Sequence, residues 1–161
     1  MGMEIERKFL VQNTEWQASN PTGTPMRQGY LSVDPVRTVR VRQIADQGFV
    51  TIKGPSVGAT RAEFEYAIPG PDALAMLDTL ALRPIIEKVR YLVEHQGNTW
   101  EVDVFAGDNA GLIVAELELE HEAQPFERPP WLGREVTDDH RYSNSSLVQR
   151  PYNTWPTADA G

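Results

Sequence analysis

The chain has 161 residues, of which 40% are apolar and 24% charged, and its formal net charge is −8. This length and composition fit one globular domain and are too polar for a membrane protein. The acidic balance excludes nonspecific nucleic-acid binding, which needs a basic surface, and the absence of cysteine excludes disulfides and thiolate metal sites. With neither an apolar run approaching the ~20 residues that cross a bilayer nor a basic and apolar leader, we expect a cytoplasmic protein that binds no membrane.

The first predicted strand, residues 1–12, carries charges at alternate positions. Glu4, Glu6 and Lys8 are separated by Ile5 and Arg7. Because successive side chains of a strand point to opposite faces, the three charges at even positions share one face. A solvated edge strand whose charges discourage aggregation would show the same pattern, so its meaning depends on whether it recurs.

The alternation recurs in six later segments, in which ionisable side chains occupy alternate positions with apolar ones between them. These segments carry Arg40 and Arg42; Lys53; Arg61, Glu63 and Glu65; Lys88 and Arg90; Glu101 and Asp103; and Glu116, Glu118 and Glu120. Seven such segments indicate a common charged face rather than seven unrelated surfaces.

Turn residues divide most of the chain into eight predicted strands. The predicted strands cover residues 1–12, 26–33, 37–44, 49–53, 61–68, 85–95, 98–105 and 112–121. A short helical turn and a loop are predicted between the first two strands. The stretch 54–60, rich in glycine, proline and serine, is predicted to be a mobile loop.

One clear helix is predicted between the fifth and sixth strands. Asp72 is expected to cap it, and apolar residues follow at helical spacing. The tail is predicted to hold a short helix through 134–137 and a second helix that starts near Ser143, where serines act as caps. The chain thus divides into one domain, residues 1–155, and a frayed tail, residues 156–161.

Eight antiparallel strands joined by short turns predict a closed or nearly closed barrel, since closure removes the sheet edges. Charges on the outside would give an ordinary apolar interior, which could bind apolar ligands. Charges on the inside would give a polar tunnel whose apolar exterior needs cover, and the amphipathic helix and the aromatic tail can supply that cover. The predicted fold class is therefore α+β, mainly β: an eight-stranded antiparallel barrel that forms a polar tunnel, with a few covering helices.

A tunnel lined by carboxylates, lysines and arginines must be wet and filled, because uncompensated buried ions are costly. Arginine and lysine suit phosphate oxygens. Clustered glutamates without cysteine suit hard cations such as Mg²⁺ or Mn²⁺, which bridge to phosphates. The predicted ligand is a chain of phosphates together with a divalent metal.

The opening segment EIERK resembles the ExExK signature of the CYTH domain family, the triphosphate tunnel metalloenzymes. The segments VRVR, TIKG, RAEFEY, EKVRY, WEVDVF and AELELE follow in the family's order, so the resemblance covers nearly the whole chain. It implies an eight-stranded tunnel that hydrolyses or cyclises triphosphates with a divalent metal. Within the family, the chain is most similar to the compact bacterial inorganic triphosphatases.

The resemblance also implies roles for the charged residues. The implied metal ligands are Glu4, Glu6, Glu63, Glu65, Asp103, Glu116 and Glu118. The implied substrate-binding residues are Lys8, Arg40, Arg42, Lys53, Arg61, Lys88 and Arg90. Glu101 is expected to orient these cations or to assist a second metal.

The implied catalytic residues are Glu4, Glu6, Lys8 and Tyr30. Tyr30 resembles a position proposed as a proton acceptor in the compact bacterial members. A tunnel-wall phenol that donates a hydrogen bond is the alternative, since an ordinary tyrosine with a pKa of about 10 is a poor base at neutral pH.

The function predicted from these residues is metal-dependent hydrolysis of inorganic tripolyphosphate by a monomer or homodimer. A bare phosphate chain is preferred because no pocket for an organic headgroup is evident in the sequence. Thiamine triphosphatase and class IV adenylate cyclase, acting on thiamine triphosphate and ATP, are the enzymatic alternatives. A sensor that binds polyphosphate or a nucleotide without catalysis is the alternative from another class.

Overall fold

Eight antiparallel strands close into a ring in the computed structural model, which describes residues 2–156. The strands are β1 (Gly2–Val11), β2 (Gly23–Ser32), β3 (Thr38–Ile44), β4 (Gln47–Lys53), β5 (Thr60–Ile68), β6 (Ile86–His95), β7 (Asn98–Phe105) and β8 (Ile113–Glu118). They pair in the order β5-β4-β3-β2-β6-β7-β8-β1, and β1 pairs with β5 to close the ring. The predicted eight-stranded barrel is confirmed.

Closure takes place along β1, whose two edges have different partners. One edge pairs with β8, where Glu6 lies opposite Glu118. The other edge pairs with β5 at its start and, near Val11, with a ninth strand, β9 (Leu132–Glu135). The short helix predicted through 134–137 is therefore wrong: this segment begins inside β9 because β1 extends beyond β5, and its unpaired backbone groups need partners.

The helix α1 (Gly70–Thr79) covers the outer face of β3 and β4. It begins earlier than predicted, after Pro69, so that Asp72 lies in its first turn and does not cap it. Its buried residues Ala73 and Leu77 pack against Val41 of β3. The predicted cover for the apolar exterior is thus present.

The second helix, α2 (Asn144–Gln149), holds the tail against the barrel. The Ser143 side chain accepts a hydrogen bond from the backbone N–H of Ser146, as the capping interpretation requires. Leu147 and Val148 are buried in a cluster that also contains Trp155. Single 3₁₀ turns lie at Glu15–Gln17, Gly107–Asn109, His140–Tyr142 and Tyr152–Thr154.

The largest aromatic residues lie outside the ring, on the apolar faces of the strands. Trp100 packs edge to face against Phe9 and Trp131, with ring centroids 5.6 and 5.7 Å apart. In the tail, Tyr142 packs against Trp155 at 5.1 Å. Because the apolar core is built on the exterior faces, the interior of the ring is left to the polar side chains.

None of the helices within residues 2–156 has both the length and the apolar character needed to cross a bilayer. The tail predicted to fray, residues 156–161, lies outside the described residues except for Pro156.

Candidate functional site

The interior of the ring is a polar cavity of about 730 Å³, called the tunnel below. The charged side chains of the strands line it at alternate positions, as the sequence pattern predicted. These side chains are Glu4, Glu6, Lys8, Arg40, Arg42, Lys53, Arg61, Glu63, Glu65, Lys88, Arg90, Glu101, Glu116 and Glu118.

Three carboxylates on neighbouring strands form a cluster in the tunnel. Glu6, Glu101 and Glu116 each offer an oxygen, and the three oxygens lie within 4.8 Å of one another. Strand register explains the cluster, since Glu116 on β8 lies opposite Glu101 on β7, while Glu6 on β1 is diagonal to it. Hard oxygen donors at this spacing suit a divalent cation.

Burial and mutual repulsion shift the ionisation of this cluster. Burial, followed by the charge of Glu116, raises the pKa of Glu6 well above its ordinary value. Burial also raises the pKa of Glu101. Against burial, a hydrogen bond with Glu6 and the charge of Lys8 lower the pKa of Glu116. Glu6 is therefore the carboxyl of the pair that holds a proton more tightly, and a cation can take the place of that proton.

The remaining predicted metal ligands lie next to cations. Lys53 Nζ lies 3.1 Å from both carboxylate oxygens of Glu4 and 3.3 Å from Glu63. Glu65 accepts a hydrogen bond from Thr51 Oγ1 at 2.8 Å and lies 3.4 Å from Arg40. These carboxylates orient the cations of the tunnel.

Asp103, also predicted as a metal ligand, is completely buried behind the tunnel surface. Arg90 donates two hydrogen bonds to it, at 2.8 and 2.9 Å, and Lys88 Nζ lies 2.7 Å away. Glu101, which was expected to orient the cations or to assist a second metal, lies beside Glu6 and Glu116 instead. Glu118 lines the tunnel opposite Glu6.

Lys88 is the most deeply buried lysine of the tunnel, with 3% of its surface exposed. Burial lowers its pKa to about 7, although the charge of Asp103 acts in the opposite direction. The charges of Arg90 and Arg42 add to the lowering. The Lys88 ammonium can therefore lose its proton near neutral pH when no anion is bound.

Three cations of the tunnel form no ion pair with a carboxylate in the described part of the chain: Lys8, Arg42 and Arg61. Lys8 Nζ donates to the backbone oxygen of Tyr142 at 3.3 Å, and Arg61 donates to that of Gly54 at 2.8 Å. Arg42 Nε donates to Gln28 Oε1 at 2.8 Å, and burial, followed by the charge of Arg40, lowers the Arg42 pKa to about 10. Their charges are available to an anion.

Tyr30 lies on β2 opposite Arg40 and lines the tunnel, with 5% of its surface exposed. It lies near enough to Arg42 and Lys53 to interact with their charges. The residue is therefore placed inside the site, and its role as a proton acceptor or a hydrogen-bond donor stays a prediction.

The tail contributes residues that the sequence analysis did not assign to the site. Asn144 at the start of α2 lines the tunnel, as do Thr137 and His140. Asn144 Oδ1 accepts hydrogen bonds from Gln28 Nε2 at 2.8 Å and from Lys88 Nζ at 3.2 Å. The available signal was helical spacing, because Asn144 precedes the apolar pair 147–148 by three and four positions and shares their face.

The comparisons with known proteins agree with this geometry. The family model for the CYTH domain matches residues 2–152. A protein of Acetivibrio thermocellus named inorganic triphosphatase is 48% identical over 155 residues, which are 96% of this chain and 99% of the relative. A protein of Nitrosomonas europaea with the same name is 40% identical over 154 residues, covering 90% of this chain and 96% of the relative.

Solved structures share the fold. A crystal structure of an inorganic triphosphatase superposes with a TM-score of 0.63 at 36% identity, covering 89% of this chain and 96% of that one. A Bacillus halodurans protein named as a candidate adenylate cyclase superposes with a TM-score of 0.61 at 15% identity, covering 76% of this chain and 84% of that one. At this lower identity the likeness concerns the fold alone.

Proposed function

The chain belongs to the CYTH domain family, and on this premise we propose that it is a divalent-metal-dependent triphosphatase that hydrolyses inorganic tripolyphosphate. The observation that carries the proposal is the pairing, in one tunnel, of a carboxylate cluster with cations that have no carboxylate partner. The name inorganic triphosphatase of relatives at 48% and 40% identity supports it.

Glu6, Glu101 and Glu116 would hold the metal ion. Their oxygens are hard donors and their spacing suits one cation. Burial and the charge of Glu116 raise the pKa of Glu6, and a bound cation would offset that charge. We propose Mg²⁺ or Mn²⁺, which keep several waters and bridge to phosphates. The bound cation supplies positive charge that neutralises phosphate oxygens and makes the phosphorus more electrophilic.

The cations of the tunnel would bind the phosphate chain. Lys8, Arg42 and Arg61 form no ion pair with a carboxylate within residues 2–156 and can contact phosphate oxygens directly. Lys53 and Arg90 are held by carboxylates, which fixes their direction and retains donors for the substrate. Positioning and charge stabilisation of this kind account for most of the catalysis of phosphoryl transfer.

Hydrolysis requires that the attacking water lose a proton. We propose Tyr30 as the acceptor, since its side chain lines the tunnel among the substrate-binding cations, opposite Arg40 on the neighbouring strand. Hydrogen-bond donation by Tyr30 to a phosphate oxygen is the alternative, and a Tyr30→Phe variant separates the two. Loss of a proton acceptor lowers kcat, whereas loss of a phenol that only binds the substrate mainly raises KM.

A phosphate-release panel tests the proposed activity. Purified protein receives equal concentrations of tripolyphosphate, ATP and thiamine triphosphate with Mg²⁺ or Mn²⁺. We expect tripolyphosphate to be hydrolysed at least about tenfold more efficiently than ATP, which corresponds to about 1.4 kcal/mol, and no cyclic AMP to form. Glu116→Gln serves as the inactive control.

The same panel decides between the alternatives. Cyclic AMP as the main product would identify a cyclase, and thiamine triphosphate as the best substrate would identify a thiamine triphosphatase. Binding of triphosphate without turnover under any metal would identify a sensor. Action in the cytoplasm and the state of monomer or homodimer stay predictions.

A further inference from the structure

The side-chain amide of Asn144 has an orientation that its neighbours impose. Arg42 can only donate hydrogen bonds, so Gln28, which is completely buried, must direct its Oε1 to Arg42 Nε. The Gln28 Nε2 group then faces Asn144 and donates to its Oδ1. Lys88 in its ammonium form, which can only donate, contacts the same oxygen. Two independent donors therefore assign this atom as oxygen.

The other half of the amide, Nδ2, carries two N–H donors, which form no hydrogen bond within residues 2–156, whereas Oδ1 accepts two. Asn144 lines the tunnel, so these donors are available to a molecule inside it. A neutral N–H donor strengthens the binding of an anion without adding charge to a crowded set of cations.

The tail segment that carries Asn144 also contacts a second lysine of the tunnel. Lys8 Nζ donates to the backbone oxygen of Tyr142, and Lys88 Nζ donates to the side chain two residues later. The segment thus extends between the two lysines. An anion attracted to both ammonium groups comes to lie against it.

Packing holds Asn144 in this position. Leu147 is completely buried and Val148 is 4% exposed, and both follow Asn144 on the same face of α2. The cap of Ser143 fixes the start of the helix one residue before Asn144. The amide is therefore preorganised and loses little entropy when it binds a ligand.

We propose that Asn144 is a substrate-binding residue whose Nδ2 donates a hydrogen bond to a phosphate oxygen of the bound chain, while its Oδ1 orients Lys88 and Gln28. This inference rests on the proposed function, because it takes the ligand to be a linear triphosphate. The proposed role of Asn144 adds one substrate contact from the tail to the contacts made by residues of the strands.

The test measures tripolyphosphate affinity by calorimetry in metal-free buffer, where the ligand is not turned over. Asn144→Ala removes both halves of the amide and weakens binding about tenfold. Asn144→Asp keeps an oxygen for Gln28 and Lys88 but loses the N–H donors, so it weakens binding further, to about a hundredfold, while its Tm stays at or above that of the Ala variant. Asn153→Asp, an exposed change in the same tail, adds the same charge outside the tunnel and leaves affinity unchanged.

A double-mutant cycle separates direct binding from an effect through Lys88. In a Lys88→Met background, Asn144→Ala still weakens binding about tenfold if Nδ2 contacts the phosphate. An Asn144→Asp variant with wild-type affinity, or a loss that disappears in the Lys88→Met background, overturns the proposal.

The same titrations are run with ATP, which keeps the inference and the proposed function distinguishable. A wild-type protein that binds ATP but not tripolyphosphate overturns the proposed substrate, and the Asn144 comparison is then made with ATP. A wild-type protein that binds neither ligand overturns both.

Discussion

The effect of Glu6 and Glu116 on the stability of the fold depends on whether a proton, a cation or neither lies between the two carboxyl groups. Burial raises the Glu6 pKa, so between its ordinary value of 4.5 and the raised value the folded state binds more protons than the unfolded state. The free energy of unfolding of metal-free protein therefore decreases as pH rises through this interval. On the proposed metal assignment, a divalent cation would replace the proton and restore the lost stability.

Glu6→Gln removes this dependence. We expect the metal-free variant to be more stable than wild type above the raised Glu6 pKa and to gain less from added Mg²⁺. The measurement is a series of denaturant titrations across pH, with and without Mg²⁺, in which the contributions of groups that do not interact with Glu6 cancel between the two proteins. Glu127→Gln, an exposed change of the same charge, should follow wild type. Equal Mg²⁺ stabilisation of wild type and Glu6→Gln would contradict the metal assignment.

Lys88 gives the binding of triphosphate its own pH dependence. Its pKa is lowered to about 7 by burial, whereas bound phosphate oxygens favour the ammonium form. Binding must therefore weaken as pH rises above about 7, relative to a protein without this group. We expect the affinities of wild type and Lys88→Met, measured by calorimetry, to differ most below neutral pH and to converge in alkali. A constant ratio between them would show that Lys88 stays charged throughout.

At this scale the sequence predicted which side chains enter the tunnel and was less informative about how deep each one lies. Glu101 and Asp103 have the same alternation on β7, yet Glu101 belongs to the carboxylate cluster with Glu6 and Glu116, whereas Asp103 is buried beneath Lys88 and Arg90. Alternation specifies the face of a strand, and depth along the tunnel depends on register with the neighbouring strands. Register is set by pairings between distant segments, which a single sequence does not display.

The two helices have similar packing and different consequences for the site. Leu77 of α1 and Leu147 of α2 are both completely buried. Truncation of either to alanine should cost about 2–5 kcal/mol of stability. Because α2 carries Asn144, Leu147→Ala should also weaken tripolyphosphate binding under conditions where the protein is folded, whereas Leu77→Ala should not. Calorimetry at a temperature well below both unfolding transitions makes the comparison, and an equal loss in the two variants would argue against the contribution of the tail.

The strands were predicted to within a few residues because their alternation is regular, and the errors fall where local pattern is overridden. The segment 134–137 was interpreted as helical, but β1 needs partners along the edge that β5 leaves free. The start of α1 was predicted at Asp72. The helix begins at Gly70, directly after Pro69, because a proline is tolerated in the first turn of a helix. The first difference arises from tertiary strand pairing, and the second arises from a weak capping signal.

For the whole molecule, the decisive observation was the pattern that places charged side chains inside the barrel and apolar side chains outside it. Charged alternation on seven segments and one amphipathic helix were enough to predict a barrel with a polar interior, because the apolar faces had to be covered from outside. The placement of Asn144 inside the tunnel could not be predicted in this way. It depends on how the tail packs, which involves contacts of Leu147 and Trp155 with residues from distant parts of the chain, such as Ile86 and Val114.

Ring closure along β1 also determines when the protein can become active during its synthesis. The first strand to leave the ribosome pairs with β8, more than one hundred residues later, and with β9 after that. At about 5–20 residues per second the segment bearing Glu6 waits roughly 5 to 20 s for the strand bearing Glu116. Pairings this distant in sequence make folding slow and leave β1 exposed to wrong partners. The carboxylate cluster of Glu6, Glu101 and Glu116 is therefore absent from every nascent chain that ends before β8, and a cation could bind there only once β8 has been made.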